Sequence, residues 1–284
     1  MAPDLSPKNL GRVLDQAFDI YRANFRTITL SSLAVIFPFA LLMGVAQVFY
    51  TRGLLAIIPT FLESSTPGEL SRLQVWTLLS SGVSPAFWIA QLYIAVAIYS
   101  WLPAMMYGER PTVRQLLRLR LMRLVMYGLT AWLVSLLAGL GLLFLLVPGI
   151  VVAVFLAFAP IITVAEEASV GRAFSRSFAL AGGNAWRIIR FFLLLSVFTF
   201  VLETAVDSPA FIRQIVEGLQ NPDALFAAVS PGWKFIEGLL TALAISLVYP
   251  FSRIAWYCFY LDVRARREGM DMVARARALA EESR

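Results

Sequence analysis

The sequence contains no histidine and only one cysteine, Cys258, which lies within an apolar run. A disulfide needs two cysteines, and zinc and haem sites rely mainly on cysteine and histidine, so the chain offers no basis for any of them. Catalysis that needs histidine as acid or base is excluded by the same count, which leaves carboxylates, lysine, tyrosine and serine. We therefore expect no metal, no cofactor and no enzymatic activity.

Charged residues are also scarce. They make up 15% of the 284 residues, whereas hydrophobic residues make up 59%, and the mean hydropathy is +0.74. These values lie far outside the range of soluble globular proteins and predict an integral membrane protein. The first ten residues lack a basic segment followed by an apolar core, so no cleaved signal peptide is expected. We expect residues 1–284 to form a single membrane domain.

Six runs of about 20 apolar residues predict six transmembrane helices and an all-α fold. The predicted spans are 27–50, 84–107, 122–146, 149–165, 186–205 and 232–261. The third and fourth spans meet at the sequence VPGI (residues 147–150), where Pro148 and Gly149 are expected to break the helix and allow a tight reversal. Residues 1–26 are then an interfacial helix, 27–261 a six-span bundle and 262–284 a basic tail.

The basic residues favour one side of the membrane. Most of the 24 Lys and Arg residues lie in the N-terminal segment, the second and fourth connections and the C-terminal segment. The opposite connections contain only Arg52, Arg72, Arg213 and Lys234. Because basic residues near spans stay in the cytoplasm, both termini should be cytoplasmic. The net charge of +6 would then face anionic lipid headgroups. The basic residues are dispersed among the loops that flank the spans, a pattern that does not favour a nucleic-acid partner.

Two segments have the pattern of amphipathic helices. Residues 170–181 and 7–26 each place apolar side chains on one face and charged ones on the other, which predicts helices lying in the membrane interface. The following span would enter the headgroup layer near Trp186. The residues expected to contact lipid headgroups are Arg172, Arg176, Trp186, Arg187 and Arg190.

The two amphipathic segments also share residues. Gly11, Arg12, Phe18 and Asn24 recur as Gly171, Arg172, Phe178 and Asn184, and a third basic amphipathic segment follows Pro111. One interpretation is a threefold repeat of an interfacial helix and a helical hairpin. The other is that amphipathic helices resemble one another for physical reasons.

The C-terminal half resembles a known family. Its pattern is a proline-bearing span, an acid at the end of that span, an Arg-Ser pair, and a glycine three residues before a tryptophan. Here these are Pro160, Glu166 or Glu167, Arg176 with Ser177, and Gly183 with Trp186, and the close "FYLDVRARREG" contains Asp262 and Arg264. This resembles the bacterial membrane domain of glycerophosphoryl diester phosphodiesterase, with YciC-like inner-membrane proteins as relatives, although Phe178 stands where a tryptophan is usual.

The resemblance implies a polytopic inner-membrane domain. The phosphodiesterase chemistry of that family name belongs to a separate soluble barrel with catalytic histidines, which this sequence lacks. The resemblance therefore bears on architecture and leaves the activity open.

Several charged residues are candidates for structural roles. Glu166 and Glu167 are expected to form ion pairs with Arg172 or Arg176, since those bases lie a turn or two away. Arg253 lies within the last span and is expected to anchor it by snorkelling rather than to serve an ion relay. The residues assigned to the structural motif are Pro160, Glu166, Glu167, Ser177, Gly183, Arg253, Asp262 and Arg264.

These features favour a non-enzymatic membrane module that binds anionic lipid or organises partner proteins. The alternative is a transporter or lipid translocator with a crevice between spans kinked at proline. A third possibility is a membrane-embedded lipid-modifying enzyme that uses Glu166 or Glu167.

Overall fold

The computed structural model describes residues 8–63, 75, 84–220 and 231–269, and this part of the chain is helical without a strand. Ten helices follow one another in it. They are α1 (Leu10–Ala23), α2 (Phe25–Glu63), α3 (Ser84–Met106), α4 (Val113–Leu116), α5 (Leu121–Phe144), α6 (Leu146–Phe155), α7 (Ala159–Ala165), α8 (Val170–Ala181), α9 (Ala185–Gln220) and α10 (Pro231–Glu268).

Six segments of the described residues are long and apolar enough to cross a membrane, which confirms an all-α membrane protein. They are Phe25–Ala46, Pro85–Met106, Leu121–Phe144, Leu146–Ala165, Ala185–Val206 and Phe235–Glu268. Three helices extend beyond the predicted spans. The 39 residues of α2 would measure about 58 Å, well beyond a hydrocarbon core of about 30 Å, so part of the predicted outer connection continues this helix. Residues 262–268, predicted to belong to the tail, continue α10.

The chain divides into two compact units. Unit 1 contains Met1–Ser31, Leu92–Phe198 and Pro250–Arg284, and unit 2 contains Ser32–Gln91 and Thr199–Tyr249.

Unit 1 has an aromatic core. Phe191 stacks on Phe259 with ring centroids 4.0 Å apart, and Phe158 lies 5.8 Å from the same ring. All three side chains are fully buried. Aromatic pairs at these distances add to the free energy of packing, so α7, α9 and α10 are fixed against one another here.

Unit 2 contains a close helix crossing. A Cβ atom placed on Gly44 would lie 2.9 Å from the Cα of Gly238, so the backbones of α2 and α10 are in direct contact. Small residues permit this approach between membrane helices. The Tyr249 hydroxyl donates a hydrogen bond to the carbonyl of Gln91 at 3.0 Å, which links α10 to α3.

The reversal between the third and fourth spans lies earlier than predicted. It is at Leu145, and Pro148 and Gly149 lie in the first turn of α6. A proline is tolerated there because the first amides of a helix have no partner within the helix. Gly149 is needed for packing, since a Cβ on it would lie 2.5 Å from the backbone nitrogen of Leu142 in α5.

The fourth span is broken. α6 ends at Phe155, α7 begins at Ala159, and residues 156–158 form a turn between them. Pro160 is the second residue of α7, where it starts a helix instead of kinking a continuous one.

Helices α1 and α8 match in their buried positions. The buried residues of α1 are Val13, Ala17, Ile20 and Tyr21, and those of α8 are Ala173, Ser177, Leu180 and Ala181, each 160 positions later. Phe18 and Phe178, also 160 apart, are both exposed. The two helices therefore pack on the protein through equivalent faces, with only part of each apolar surface left for lipid.

The junctions after these two helices also match. The side-chain amides of Asn24 and Asn184 each donate to a carbonyl four residues earlier at 3.1 Å. The carbonyls of both asparagines accept the N–H of a residue in the next helix, Ile28 or Ile188, at 3.0 Å. This shared geometry favours the repeat interpretation for the first and third segments.

The second segment differs. It forms only the short helix α4, which begins at a capping box of Thr112 and Gln115. The side chains of Tyr93 and Trp101 donate to the carbonyls of Leu117 and Gln115. The carbonyl of Gln115 also accepts the N–H of Arg118, and the basic amphipathic helix predicted after Pro111 ends at Leu116 instead of continuing into α5.

Candidate functional site

Glu166 lies at the centre of a charged cluster just after α7. Its carboxylate accepts a hydrogen bond from the Tyr260 hydroxyl at 2.6 Å and lies 3.1 Å from Nε of Arg176. Arg264 approaches it at 3.6 Å and pairs with Glu268 at 2.8 Å, while Glu268 also pairs with Arg176. We call these five residues the Glu166 cluster. It joins α7, α8 and α10.

The electrostatics of the cluster keep Glu166 and Arg176 charged. Burial raises the pKa of Glu166, but the hydrogen bond from Tyr260 and the charges of Arg176 and Arg264 outweigh it, so the pKa lies below its ordinary value. Burial lowers the pKa of Arg176, but its bonds to Glu166 and the charge of Glu268 raise it above its ordinary value. Glu166 is therefore an ionised structural anchor, and its predicted pairing with Arg176 is present.

Glu167 does not pair with Arg172 or Arg176, contrary to the sequence prediction. Its ion-pair partner is Arg123 at the start of α5. The reason is local: Glu167 has a φ of 50°, a left-handed conformation in which the side chain leaves the direction taken by Glu166.

A second cluster surrounds Asp262, whose side chain is 2% exposed. Nη2 of Arg187 lies 2.7 Å and Nε of Arg266 3.3 Å from its carboxylate. The backbone N–H of Lys8 donates to the same carboxylate at 2.6 Å, and the Lys8 carbonyl accepts from both arginines at 2.6 Å. This Asp262 cluster ties the segment before α1 to α9 and α10.

These contacts gather several helix ends. Arg123 and Arg187 lie near the starts of α5 and α9, and Glu166 and Asp262 lie near the ends of α7 and α10. Lys8 lies in the segment before α1. We call this the charged end of unit 1.

The five predicted headgroup residues separate into two groups. Arg176 and Arg187 are bonded to Glu166, Glu268 and Asp262. Arg172, Arg190 and Trp186 are exposed, Trp186 to 66%. Within the residues that the structure describes, Arg172 and Arg190 have no ion-pair partner. Three of the five residues are thus available to a ligand.

The remaining predicted residues have structural positions. The Ser177 hydroxyl donates to the carbonyl of Phe155 at 2.8 Å and accepts the N–H of Phe158 at 3.2 Å, so it bridges the break in the fourth span. Gly183 has a φ of 79° just after α8, a conformation that favours glycine. Nε of Arg253 donates to the Ser252 hydroxyl at 3.3 Å within α10.

A cleft lies beside the charged end and was missed by the sequence analysis. It has a volume of about 220 Å³ and lies between the start of α5 and the end of α7. Its lining residues are Arg120, Met122, Arg123, Met126, Thr163, Glu167 and Ala168. We call it the Arg120 cleft. The signal available in the sequence was the close spacing of Arg118, Arg120 and Arg123 directly before an apolar run.

The chemistry of this region is that of charge neutralisation. In the described ranges no three His, Cys, Asp or Glu residues lie close enough together to hold a metal ion. Glu166, Glu167 and Asp262 are each paired with arginine. Such an arrangement fixes helix ends and leaves other arginines exposed around them.

Comparison with known proteins gives one family. The family model described as "Domain of unknown function (DUF7847)" matches residues 16–260. Neither the curated proteins nor the solved structures contain a significant match to the chain. The match extends from α1 into the aromatic core of α10.

Proposed function

The chain belongs to the family of the domain of unknown function DUF7847, and on that premise we propose that this member is a non-enzymatic module of the bacterial inner membrane that binds anionic lipid at the charged end of unit 1. The observation that supports this proposal is that some arginines form ion pairs inside the charged end, whereas others are exposed and have no ion pair among the described residues.

The exposed group is basic and flanks the spans. Its members around α1, α8 and the start of α9 are Arg12, Arg22, Arg26, Arg172 and Arg190, each without an ion pair among the described residues. The exposed acids on α1, Asp15 and Asp19, are fewer than these five arginines, so the outward charge of the group is positive. Each arginine near an anionic membrane surface contributes about 1 kcal/mol of attraction.

Apolar side chains accompany these arginines. Phe18, Phe25 and Phe178 are exposed on the same helices or at their ends. An exposed aromatic ring beside an arginine suits a membrane interface, where the ring meets acyl chains and the cation meets phosphate. This supports a lipid partner over a nucleic acid.

The alternation of the spans supports the orientation. Successive spans run in opposite directions, so the starts of α2, α5 and α9 share one side of the membrane. Arg26, Arg123 and Arg190 lie at these starts. The positive-inside rule then favours the cytoplasm for this side and for both termini. The resemblance to the phosphodiesterase membrane domain supports a bacterial inner membrane.

The alternative functions have less support. A lipid-modifying enzyme would need Glu166 or Glu167 free to react, and both carboxylates are bonded to arginine. The broken fourth span is a feature that transporters use, with open helix ends binding substrate. Here Ser177 occupies the break, and both Ser177 and Phe158 are fully buried.

Native mass spectrometry of the protein released from nanodiscs tests the proposal. With equal amounts of phosphatidylglycerol and phosphatidylcholine, we expect retained lipid to be enriched in phosphatidylglycerol, with the enrichment falling at high salt because exposed charges are screened. The double variant Arg172→Gln with Arg190→Gln should reduce the enrichment, and Glu109→Gln, an exposed acid, should not. Equal retention of both lipids by the wild-type protein would refute the proposal.

A further inference from the structure

The Arg120 cleft has an excess of positive charge. It contains the guanidinium groups of Arg120 and Arg123 and the carboxylate of Glu167. Arg123 is paired with Glu167, whereas Arg120 is exposed and has no ion pair within the described part of the chain. The cleft therefore holds one uncompensated cation and suits a ligand with a single negative charge.

The size of the cleft limits what can enter it. Its volume of about 220 Å³ lies below the roughly 300–1,000 Å³ of pockets that enclose drug-sized ligands. A polar headgroup could enter, while any attached hydrocarbon chain must stay outside.

The surface next to the cleft is apolar. Met122 and Met126 line the cleft, and Met122 is 64% exposed. Leu121 and Val125 are also exposed at the start of α5, which is a candidate span. A ligand held by Arg120 would thus have a lipid-facing helix directly beside it, as a phospholipid requires for its acyl chains.

The polar groups match a phosphodiester with hydroxyl groups. A guanidinium can give two parallel hydrogen bonds to phosphate oxygens. Arg120 is the residue before α5, and no side chain caps this 24-residue helix. The first backbone N–H groups of the helix can therefore donate hydrogen bonds to a phosphate beside the arginine. The Glu167 carboxylate, 62% exposed, can accept a hydrogen bond from a hydroxyl of the headgroup.

We propose that the Arg120 cleft binds the headgroup of one anionic glycerophospholipid, with its phosphate on Arg120 and its acyl chains along α5. This rests on the proposed function, and it goes beyond it by assigning one defined site to residues that the sequence analysis did not select. Phosphatidylglycerol, with one negative charge and free hydroxyls, has the matching chemistry.

The test compares Arg120→Gln with Arg118→Gln by native mass spectrometry from nanodiscs of defined lipid. Arg118 is the matched control, because it is also exposed and without an ion pair among the described residues, and it does not line the cleft. Loss of a charge-assisted hydrogen bond should lower phosphatidylglycerol retention roughly tenfold in Arg120→Gln, and the control should change it less than about twofold. Arg120→Lys, which keeps the charge but loses the planar fork, should be intermediate.

Separate measurements test whether the ligand is an anionic lipid, a zwitterionic lipid or free phosphate. Phosphatidylethanolamine and phosphatidylcholine, which are zwitterionic, should be retained less than phosphatidylglycerol. Inorganic phosphate added in detergent should not raise the thermal unfolding midpoint, because it has no acyl chains to occupy the α5 surface. Stabilisation by phosphate equal to that by phosphatidylglycerol, or stronger retention of phosphatidylethanolamine, would overturn the assignment.

The site and the proposed function can fail separately. If the wild-type protein prefers phosphatidylglycerol and both single variants retain it equally, the site is wrong and the function stands. If the wild-type protein shows no preference, the proposed function fails and the site fails with it.

Discussion

At the scale of single residues, Asp262 holds together parts of the chain that are far apart in sequence. It lies 254 positions from Lys8 and 75 from Arg187, and its side chain is bonded to both residues. A carboxylate with this little exposure is stable only because its partners supply opposite charge and hydrogen bonds.

The variant Asp262→Asn should destabilise the protein strongly. It leaves Arg187 partly buried without its anionic partner, and removing one member of a buried ion pair costs about 3–5 kcal/mol. Unfolding in denaturing detergent would measure the change. Glu109→Gln removes an exposed acid and should stay within about 0.5 kcal/mol of the wild-type value. Equal stability of the two variants would contradict the role assigned to Asp262.

The Glu166 cluster predicts an acid-sensitive contribution to stability. The pKa of Glu166 is lower in the folded protein than its ordinary value of 4.5, so the unfolded chain takes up the proton first as the pH falls. The contribution is therefore complete above about pH 4.5 and is lost as the pH falls through the folded value. Thermal unfolding between pH 7 and pH 3 should show this loss in the wild-type protein and less of it in Glu166→Gln. Parallel curves for the two proteins would exclude it.

Only the local half of the Glu166 cluster could be predicted from the sequence. Arg176 lies ten positions from Glu166, and the short connection between α7 and α8 keeps such near neighbours in sequence within reach of each other. Tyr260 lies 94 positions away and meets Glu166 only because α7 and α10 pack side by side. Glu167 shows the opposite case, since its neighbours in sequence suggested the wrong arginine and a single left-handed backbone angle decided the partner.

At the scale of elements, the broken fourth span depends on one hydroxyl. The turn between α6 and α7 frees a carbonyl at Phe155 and an N–H at Phe158, and Ser177 on α8 bonds both. Unpaired backbone groups are costly in an apolar region, so the break and the serine require each other.

The variant Ser177→Ala should therefore cost about 1–3 kcal/mol, the range for a buried group left without its hydrogen bond. Ser175→Ala on the exposed side of the same helix is the control and should change the free energy of unfolding by less than about 0.5 kcal/mol. Thermal unfolding of the two variants in one detergent would measure the difference. A loss shared by both would point to helix α8 in general instead of the hydroxyl.

The sequence predicted the type of each long element better than its ends. The amphipathic pattern of residues 170–181 gives α8 with the same bounds, because charge and apolar residues alternate there with helical spacing. The break at residues 156–158 has no such signal, since its residues are as apolar as those around it. Pro160 suggested a kink nearby, but a proline at the second position of a helix starts it.

At the scale of the whole molecule, the alternation of six spans predicts which residues share a side of the membrane. Glu109 follows the second span, and Val75 lies in the connection before it. Both are exposed, and the native Cys258 is buried and should add little background. With a membrane-impermeant thiol reagent, Val75→Cys should be labelled in intact cells and Glu109→Cys only after permeabilisation. Labelling of both from one side would contradict the topology.

The hairpin of α5 and α6 has a consequence for how the protein is made. No charged residue occurs between Arg123 and Glu166, and at its tip Leu143 and Phe144 are each 79% exposed. Transfer of a polar loop across a bilayer is the costly step in inserting two helices, and this pair has no polar loop to transfer. The two helices can thus leave the translocon sideways as one unit, with the arginines before them and the glutamates after them remaining on one side of the membrane.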